Sequence, residues 1–266
     1  MKKLKRLALS LIALYALILA LGYFFQERFM FYPNILVADY EFKFDAEFSE
    51  HFIESGENRL NLLHFRTPNP KGAVLFLHGN NKNLAFWGEL NPIFRDLGYD
   101  FYTYDYPHFG KSTGSYHNEA EIYADALSAL NFVRKEFDDE NIVIIGFSIG
   151  SGISSNLACK EAPNVPNLVL LAPYFSLENL GHNLSLKLFP KALMRYKIKT
   201  HENLRQCKAK ITIIHGTQDP LISVKNSREL AKILPKSDDK FFEIESRHND
   251  LPEKPEVKEI LKARLP

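Results

Sequence analysis

The amino-acid sequence predicts an α/β fold, in which a mostly parallel, doubly wound sheet carries helices on both faces. The first observation is that short apolar runs, typical of buried parallel strands, alternate with segments of helical periodicity. The second is the composition, because 266 residues that are 45% hydrophobic and 24% charged suit one large globular domain. In such a sheet, reactive side chains gather beyond the carboxyl ends of the strands, so polar residues there are the candidates for a site.

The first 30 residues predict a membrane anchor. A basic cluster at residues 1–6 precedes the uncharged residues 7–25, which at about 1.5 Å per residue match the hydrocarbon thickness of a bilayer. The positive-inside rule keeps the basic end in the cytoplasm, so residues 31–266 would form a domain on the extracytoplasmic side of a single-pass protein. Aromatic residues at the end of the run, including Phe29, suit the outer membrane interface.

A cleaved signal peptide is the alternative to this anchor. Ala20-Leu21-Gly22 has the small-x-small form of a processing site, and cleavage would leave a secreted or periplasmic protein. The apolar run continues past this site to Phe25, which makes it longer than the usual signal-peptide core of about 7–15 residues. We therefore favour the uncleaved anchor.

The rest of the chain follows the alternation of strands and helices. Predicted strands lie at residues 41–48, 59–66, 73–77, 100–104, 142–145, 168–171 and 211–214. Predicted helices lie at residues 84–97, 118–137, 151–160, 223–234 and 255–265. The first two strands alternate apolar and polar residues, which indicates an antiparallel lead-in to the parallel sheet.

Charge and cysteine content exclude several classes of protein. The chain has 33 Lys and Arg against 32 Asp and Glu, which gives no case for a nucleic-acid partner. Cys159 and Cys207 have neither C-x-x-C spacing nor a histidine cluster nearby, so we expect no metal site. Two buried thiols are the favoured interpretation, and a single disulfide is the alternative.

Ser148 is the candidate nucleophile. It lies at the centre of Gly146-Phe-Ser-Ile-Gly150, between the apolar strand 142–145 and the helix 151–160. A G-x-S-x-G between a strand and a helix predicts a nucleophile elbow, a turn too tight for side chains at its two glycines. The positive end of the following helix dipole points at the same place.

Asp219 and His248 complete a candidate catalytic triad, because each follows a predicted strand end and Ser, Asp, His is the chain order of this fold class. His248 would take the serine proton as general base, since an unperturbed imidazole titrates near pH 6.5. Asp219 would orient the imidazole and stabilise its charged form. Asp250 is the fallback acid, although two residues from His248 it could not easily reach the far ring nitrogen.

Two backbone N–H groups are expected to form the oxyanion hole. The N–H of Ile149, the residue after the nucleophile, would be one donor. The N–H of Asn80, after the His78-Gly79 turn, would be the other.

Several segments now support a family resemblance. They are Gln26–Pro33, His78–Asn80, Asp105–Gly114, Gly146–Gly150, His215–Asp219 and His248–Leu251. Through them the chain resembles the α/β-hydrolase superfamily, and more narrowly its membrane-anchored abhydrolase-domain-containing serine hydrolases. The resemblance implies an α/β-hydrolase fold and cofactor-free cleavage of small or lipid-derived esters or thioesters through an acyl-enzyme, as in esterases, lipases and acyl-thioesterases.

Residues 174–206 occupy the place where this superfamily inserts a helical cap. The segment is rich in long apolar side chains, which are Leu177, Leu180, Leu184, Leu186, Leu188, Phe189, Leu193 and Met194. These residues would either line an acyl pocket or simply pack on the sheet. Two other functions remain as alternatives, a serine peptidase of the same fold and a catalytically silent binding module. The sequence makes no prediction about the oligomeric state.

Overall fold

The structure is a computed structural model that describes residues 1–185 and 187–266, apart from the side chain of Phe29. Leu186 of the predicted cap and the Phe29 side chain of the predicted aromatic interface lie outside this description. Within the described residues, eight strands form one sheet in the order β1-β2-β4-β3-β5-β6-β7-β8. The strands are β1 (Phe48–Ser55), β2 (Asn58–Phe65), β3 (Gly72–Leu77), β4 (Tyr99–Tyr104), β5 (Ile142–Phe147), β6 (Asn167–Leu171), β7 (Lys210–Gly216) and β8 (Lys240–Ile244).

Helices connect the strands and precede them. They are α1 (Lys2–Phe24), α2 (Gln26–Met30), α3 (Leu84–Trp87), α4 (Asn91–Asp96), α5 (Glu119–Val133), α6 (Ile149–Asn156), α7 (Leu177–Leu184), α8 (Thr200–Leu204), α9 (Lys225–Ala231) and α10 (Pro255–Arg264). Short 3₁₀ turns and one turn of π-helix, Leu157–Glu161, supplement them. Because β3 to β8 run parallel, their carboxyl ends meet at one edge of the sheet.

The sheet confirms the predicted fold class. β2 runs antiparallel to β1 and β4, and β3 to β8 pair in parallel. Buried apolar side chains form two clusters, one containing Leu75, Ile144 and Ile213 and the other containing Phe76 and Ile145. Because neighbours along a strand point to opposite faces, the two clusters are the two covered faces of a doubly wound sheet.

Two predicted elements were wrong. Residues 41–48 form no strand before Phe48, although Phe42 is buried and the ring of Phe44 lies 4.9 Å from that of Phe65. The alternating aromatic residues there pack an extended segment onto the core without pairing it to a neighbour. The predicted helix 84–97 is divided into α3, a 3₁₀ turn at Gly88–Leu90 and α4.

Cys159 and Cys207 form a disulfide, so the favoured prediction of two thiols was wrong and its alternative was right. Cys159 lies in the π-helical turn after α6, and Cys207 follows α8. The bridge therefore ties the end of the cap to the helix that begins at the candidate nucleophile. The two residues are 48 positions apart, and no local spacing pattern in the sequence predicts that they pair.

α1 is long and apolar enough to cross a membrane, and none of its most apolar stretch is buried against the protein. Its carboxyl-terminal half nevertheless contacts the cap. The hydroxyl of Tyr15 donates to the carbonyl of Leu188 at 2.7 Å, and the ring of Phe189 fills the space beside Gly22. α2 continues the contact, because the side-chain amide of Gln26 bonds the carbonyl of Leu193 at 2.8 Å.

Candidate active site

The turn between β5 and α6 holds Ser148 in an unusual backbone conformation. Its φ of 53° and ψ of −119° lie in a region that non-glycine residues rarely occupy, and such strain is common at functional sites. A side chain at Gly146 would meet Ser154 and the backbone of Gly150, and one at Gly150 would meet the backbone of Leu77. The tight packing explains why the sequence needs glycine at both positions. The serine hydroxyl is thereby held at the carboxyl edge of the sheet.

The structure brings the three candidate triad residues together. Nε2 of His248 lies 3.0 Å from Oγ of Ser148, and Nδ1 of His248 lies 2.5 Å from Oδ2 of Asp219. Ser148 follows β5, Asp219 follows β7 and His248 follows β8, so three separate strand ends position the group. Their catalytic roles remain predictions, but the geometry is that of a nucleophile, a base and an orienting acid.

The carboxylate of Asp219 is fixed from several sides. Its Oδ1 accepts the N–H groups of Leu221 and Ile222, both at 2.8 Å, and Nε2 of His215 lies 3.3 Å from its Oδ2. Burial raises the pKa of this carboxyl, but hydrogen bonds from His215 and His248 outweigh burial and hold the pKa well below its usual range. Asp219 is therefore a carboxylate at every physiological pH.

His215 is a positioning residue that the sequence analysis assigned no part in the site. Its Nδ1 is 2.6 Å from Oγ of Ser227, and its Nε2 is 2.7 Å from the carbonyl of Ile222. Its ring is thus locked in the loop that carries Asp219. The His-x-x-x-Asp spacing between positions 215 and 219 is the signal that could have indicated this contact. The fallback acid Asp250, by contrast, is exposed and makes no described hydrogen bond to His248.

Both predicted oxyanion donors border the same cavity as Ser148. Ile149 is the first residue of α6, where N–H groups have no partner within the helix. Within the described contacts, the N–H groups of Asn80 and Ile149 donate to no other residue, so both are available to an incoming oxygen. Their use as an oxyanion hole stays a prediction, with the donors at the required edge of the sheet.

A cavity of about 400 Å³ opens over Ser148 and is mainly apolar. Cap residues form one wall, which consists of Leu177, Leu180, Gly181, Leu184 and Met194. The prediction that cap leucines would either line a pocket or pack on the sheet is thus answered for these residues, which line the cavity. Leu221 and Ile222 contribute from the loop after β7.

The segment that follows α1 forms another wall of the cavity, which the sequence analysis did not foresee. Met30 and Tyr32 both line it. The side chain of Asn80 accepts the N–H of Tyr32 at 2.8 Å and donates to the carbonyl of Met30. The loop with one predicted oxyanion donor is therefore bonded directly to the segment that leads from the predicted anchor.

One group of described residues has the composition of a metal site but not its geometry. His64, Asp100 and Glu136 lie close together away from the cavity. Nε2 of His64 is 2.7 Å from Asp100, whereas its Nδ1 is 3.8 Å from Glu136. The two ring nitrogens point in different directions, so a single ion could not bind both sides of the imidazole. The group is a cluster of polar side chains on β2, on β4 and in the turn after α5.

Comparison with known proteins agrees with this architecture. A family model described as alpha/beta hydrolase fold matches residues 72–205. The alpha/beta hydrolase domain-containing protein aho-3 of Caenorhabditis elegans is 29% identical over 193 residues, which cover 69% of this chain and 54% of that protein. Lysophosphatidylserine lipase ABHD12 of Macaca fascicularis is 26% identical over 220 residues, which cover 72% of this chain and 55% of the lipase.

The chain therefore spans about half the length of these two relatives. Among solved structures, an esterase of Pyrococcus furiosus matches with a TM-score of 0.70 and 18% identity, over 89% of this chain and 97% of the esterase. At that identity the likeness is one of fold.

Proposed function

The chain belongs to the α/β-hydrolase family, and from this premise we propose that it is a membrane-anchored serine hydrolase that cleaves carboxylic esters or thioesters. The observation that carries the proposal is the hydrogen-bonded series of Ser148, His248 and Asp219, in which Ser148 and His248 line an apolar cavity. A nucleophile, a base and an acid in this contact are what acyl transfer requires. The relatives' esterase and lipase activities agree with this class of reaction.

The reaction would proceed in two steps. Oγ of Ser148 attacks the ester carbonyl while Nε2 of His248 takes its proton, and the N–H groups of Asn80 and Ile149 stabilise the resulting oxyanion. The C–O or C–S bond to the leaving group breaks as His248 returns the proton to it. Water, deprotonated by His248, then cleaves the acyl-enzyme and restores Ser148. Asp219 keeps the imidazole in its productive tautomer throughout.

The cavity supports a substrate with an apolar acyl chain. The cap residues Leu177, Leu180 and Leu184 would bury such a chain at about 0.8 kcal/mol for each methylene group. The similarity to a lysophosphatidylserine lipase makes a lipid-derived ester the first candidate. A single acyl chain in an ester or thioester would fit the same wall.

Two features support an anchor with the domain on the extracytoplasmic side. α1 has a basic end and a long apolar stretch in which no residue is buried. The disulfide between Cys159 and Cys207 is a bond that persists in oxidising compartments and is rare in the cytosol. Both features agree with the orientation that the positive-inside rule predicts.

Labelling with a fluorophosphonate probe tests the proposal. We expect the wild type to be labelled covalently and Ser148→Ala to remain unlabelled, whereas Ser237→Ala, at an exposed serine, should label as the wild type does. An unlabelled, folded wild type would favour the catalytically silent binding module. p-Nitrophenyl esters of increasing chain length then measure the acyl preference, and hydrolysis of peptides in place of esters would favour the peptidase.

A further inference from the structure

The cap and the predicted membrane helix are in direct contact at an unexpected depth. Tyr15, in the middle of the apolar run, donates its hydroxyl to the carbonyl of Leu188 at 2.7 Å. About two helical turns nearer the domain, on the same face of α1, Gly22 leaves room for the ring of Phe189. The contact continues outside the run, where Oε1 of Gln26 accepts the N–H of Arg195 at 2.8 Å. The cap thus follows the outer half of α1.

The length of α1 decides where this contact lies relative to a bilayer. Residues 7–25 extend about 28 Å as a helix, which is about one hydrocarbon thickness. Tyr15 lies ten residues before Phe25, or about 15 Å inside that span. If the contact at Tyr15 were in water, only residues 7–14 would remain to cross the membrane, and they extend about 12 Å. A membrane-spanning α1 therefore requires the cap to enter the outer leaflet beside it.

The surface of the cap at this contact suits lipid. Leu184 is 65% exposed and Leu188 is 64% exposed, and both would lie against water if the cap were outside the bilayer. Lys187 and Lys191 are exposed beside them, and their long stems allow the ammonium groups to reach the headgroup layer. Residues 185–200 contain five basic residues and no acidic one, a composition that favours anionic headgroups.

One of these residues, Leu184, also borders the cavity over Ser148. Leu184 belongs to the cavity wall as well as to the exposed apolar surface, and Met30, at the end of α2, also lines the cavity. The exposed apolar surface of the cap is therefore continuous with the cavity wall at Leu184.

We propose that the cap turn, defined by Leu184, Leu188 and Phe189, is seated in the outer leaflet, and that an acyl substrate enters the cavity laterally from the bilayer. The occupant of this apolar surface is therefore lipid, and the substrate class is an ester already dissolved in a membrane. The inference rests on the proposed hydrolase function and on the anchor. It adds a route of entry that neither of them requires.

The depth of residue 188 can be measured directly in the full-length protein reconstituted into phosphatidylcholine vesicles. Both cysteines are engaged in the disulfide, so Leu188→Cys can carry a nitroxide without a competing free thiol. We expect its electron paramagnetic resonance signal to be relaxed by oxygen and protected from a water-soluble nickel chelate. Phe52→Cys, on β1 at the far edge of the sheet, should show the reverse.

Kinetics in the same vesicles test the route of entry. Leu188→Asp should lower hydrolysis of a bilayer-embedded long-chain fluorogenic ester at least tenfold and leave hydrolysis of water-soluble p-nitrophenyl acetate unchanged, because residue 188 does not line the cavity. Phe52→Asp is the matched control and should affect neither substrate.

The outcomes separate the two proposals. A nitroxide at residue 188 that the nickel chelate relaxes, or equal activity of Leu188→Asp on the embedded ester, would overturn lateral entry. A lipid-protected nitroxide in a protein that hydrolyses neither ester would support the seating of the cap and reject the hydrolase function.

Discussion

The carboxylate of Asp219 lies 2.5 Å from Nδ1 of His248, with its side chain buried. Its second oxygen is occupied by two backbone N–H groups, so the carboxylate cannot rotate away from the imidazole without losing them. The acid of the proposed triad is thus fixed by its own loop before any substrate arrives.

Asp219→Asn should lower kcat for a p-nitrophenyl ester by about 10⁴, because an amide in place of the carboxylate favours the wrong imidazole tautomer. Asp250→Asn is the matched control, since Asp250 is exposed and outside the hydrogen-bonded series. Steady-state kinetics measure the effect, and circular dichroism establishes that both variants are folded. A kcat reduced less than tenfold in Asp219→Asn would contradict the assigned role.

Asn80→Ala should lower kcat about tenfold, or about 1.4 kcal/mol in the barrier. The substitution keeps the backbone N–H but removes the side-chain bonds to Met30 and Tyr32, which hold the loop in place. Kinetics with a soluble ester provide the measurement, and Asn164→Ala, at an exposed position, provides the control. An unchanged kcat would mean that the loop is held by its other contacts alone.

Removing the disulfide with Cys159→Ser and Cys207→Ser should lower the free energy of unfolding by about 2–4 kcal/mol, as expected for a closed loop of this length. Denaturant titration of the detergent-solubilised protein measures the change. A reductant should destabilise the wild type by a similar amount and leave the double variant unaffected. Equal stability of the two proteins would show that the two cysteines are not bridged.

The carboxyl group of Asp125 should make the free energy of unfolding fall as the pH rises. Burial raises its pKa to about 6, and the hydrogen bond that Nδ2 of Asn58 donates to Oδ2 of Asp125 only partly offsets burial. The folded protein therefore binds a proton more tightly than the unfolded chain, and this contribution is present below about pH 4 and lost as the pH passes 6.

Asp125→Asn cannot ionise at this position, so its stability should not fall between pH 4 and pH 8. At pH 8 its free energy of unfolding should exceed that of the wild type by about 2–3 kcal/mol. Thermal or denaturant unfolding at pH 5 and pH 8 measures the difference. Asp138→Asn, at an exposed position, is the control and should keep the pH dependence of the wild type. Parallel losses of stability at both pH values would contradict the buried ionisation.

The sheet and the triad could be predicted because their signals are local. Apolar runs such as Ile142–Phe147 indicate strands that are buried on both faces of the sheet. The glycines on either side of Ser148 indicate a turn too tight for side chains at those positions. Asp219, after β7, could then be chosen from topology, because parallel strands end at one edge. β8 was not among the strands predicted with bounds, so the choice of His248 also depended on the chain order Ser, Asp, His.

Contacts between distant segments could not be predicted in the same way. The pairing of Cys159 with Cys207 depends on where α8 lies against the elbow helix. The bonds of Asn80 to Met30 and Tyr32 depend on the path of the chain after α1. The prediction of a strand at residues 41–48 was wrong because the alternation of apolar and polar residues indicates which side chains are buried. It does not indicate whether the backbone of the segment pairs with a neighbouring strand.

The position of Gln26–Met30 beside the cavity matters for anyone who trims this protein for crystallisation or inhibitor screening. A shortened form that begins after Tyr32 would lose the apolar helix α1, but it would also lack Met30 and Tyr32, which line the cavity over Ser148. Inhibitors selected against such a form would be fitted to an artificially widened opening. The trimmed protein should therefore begin no later than Gln26.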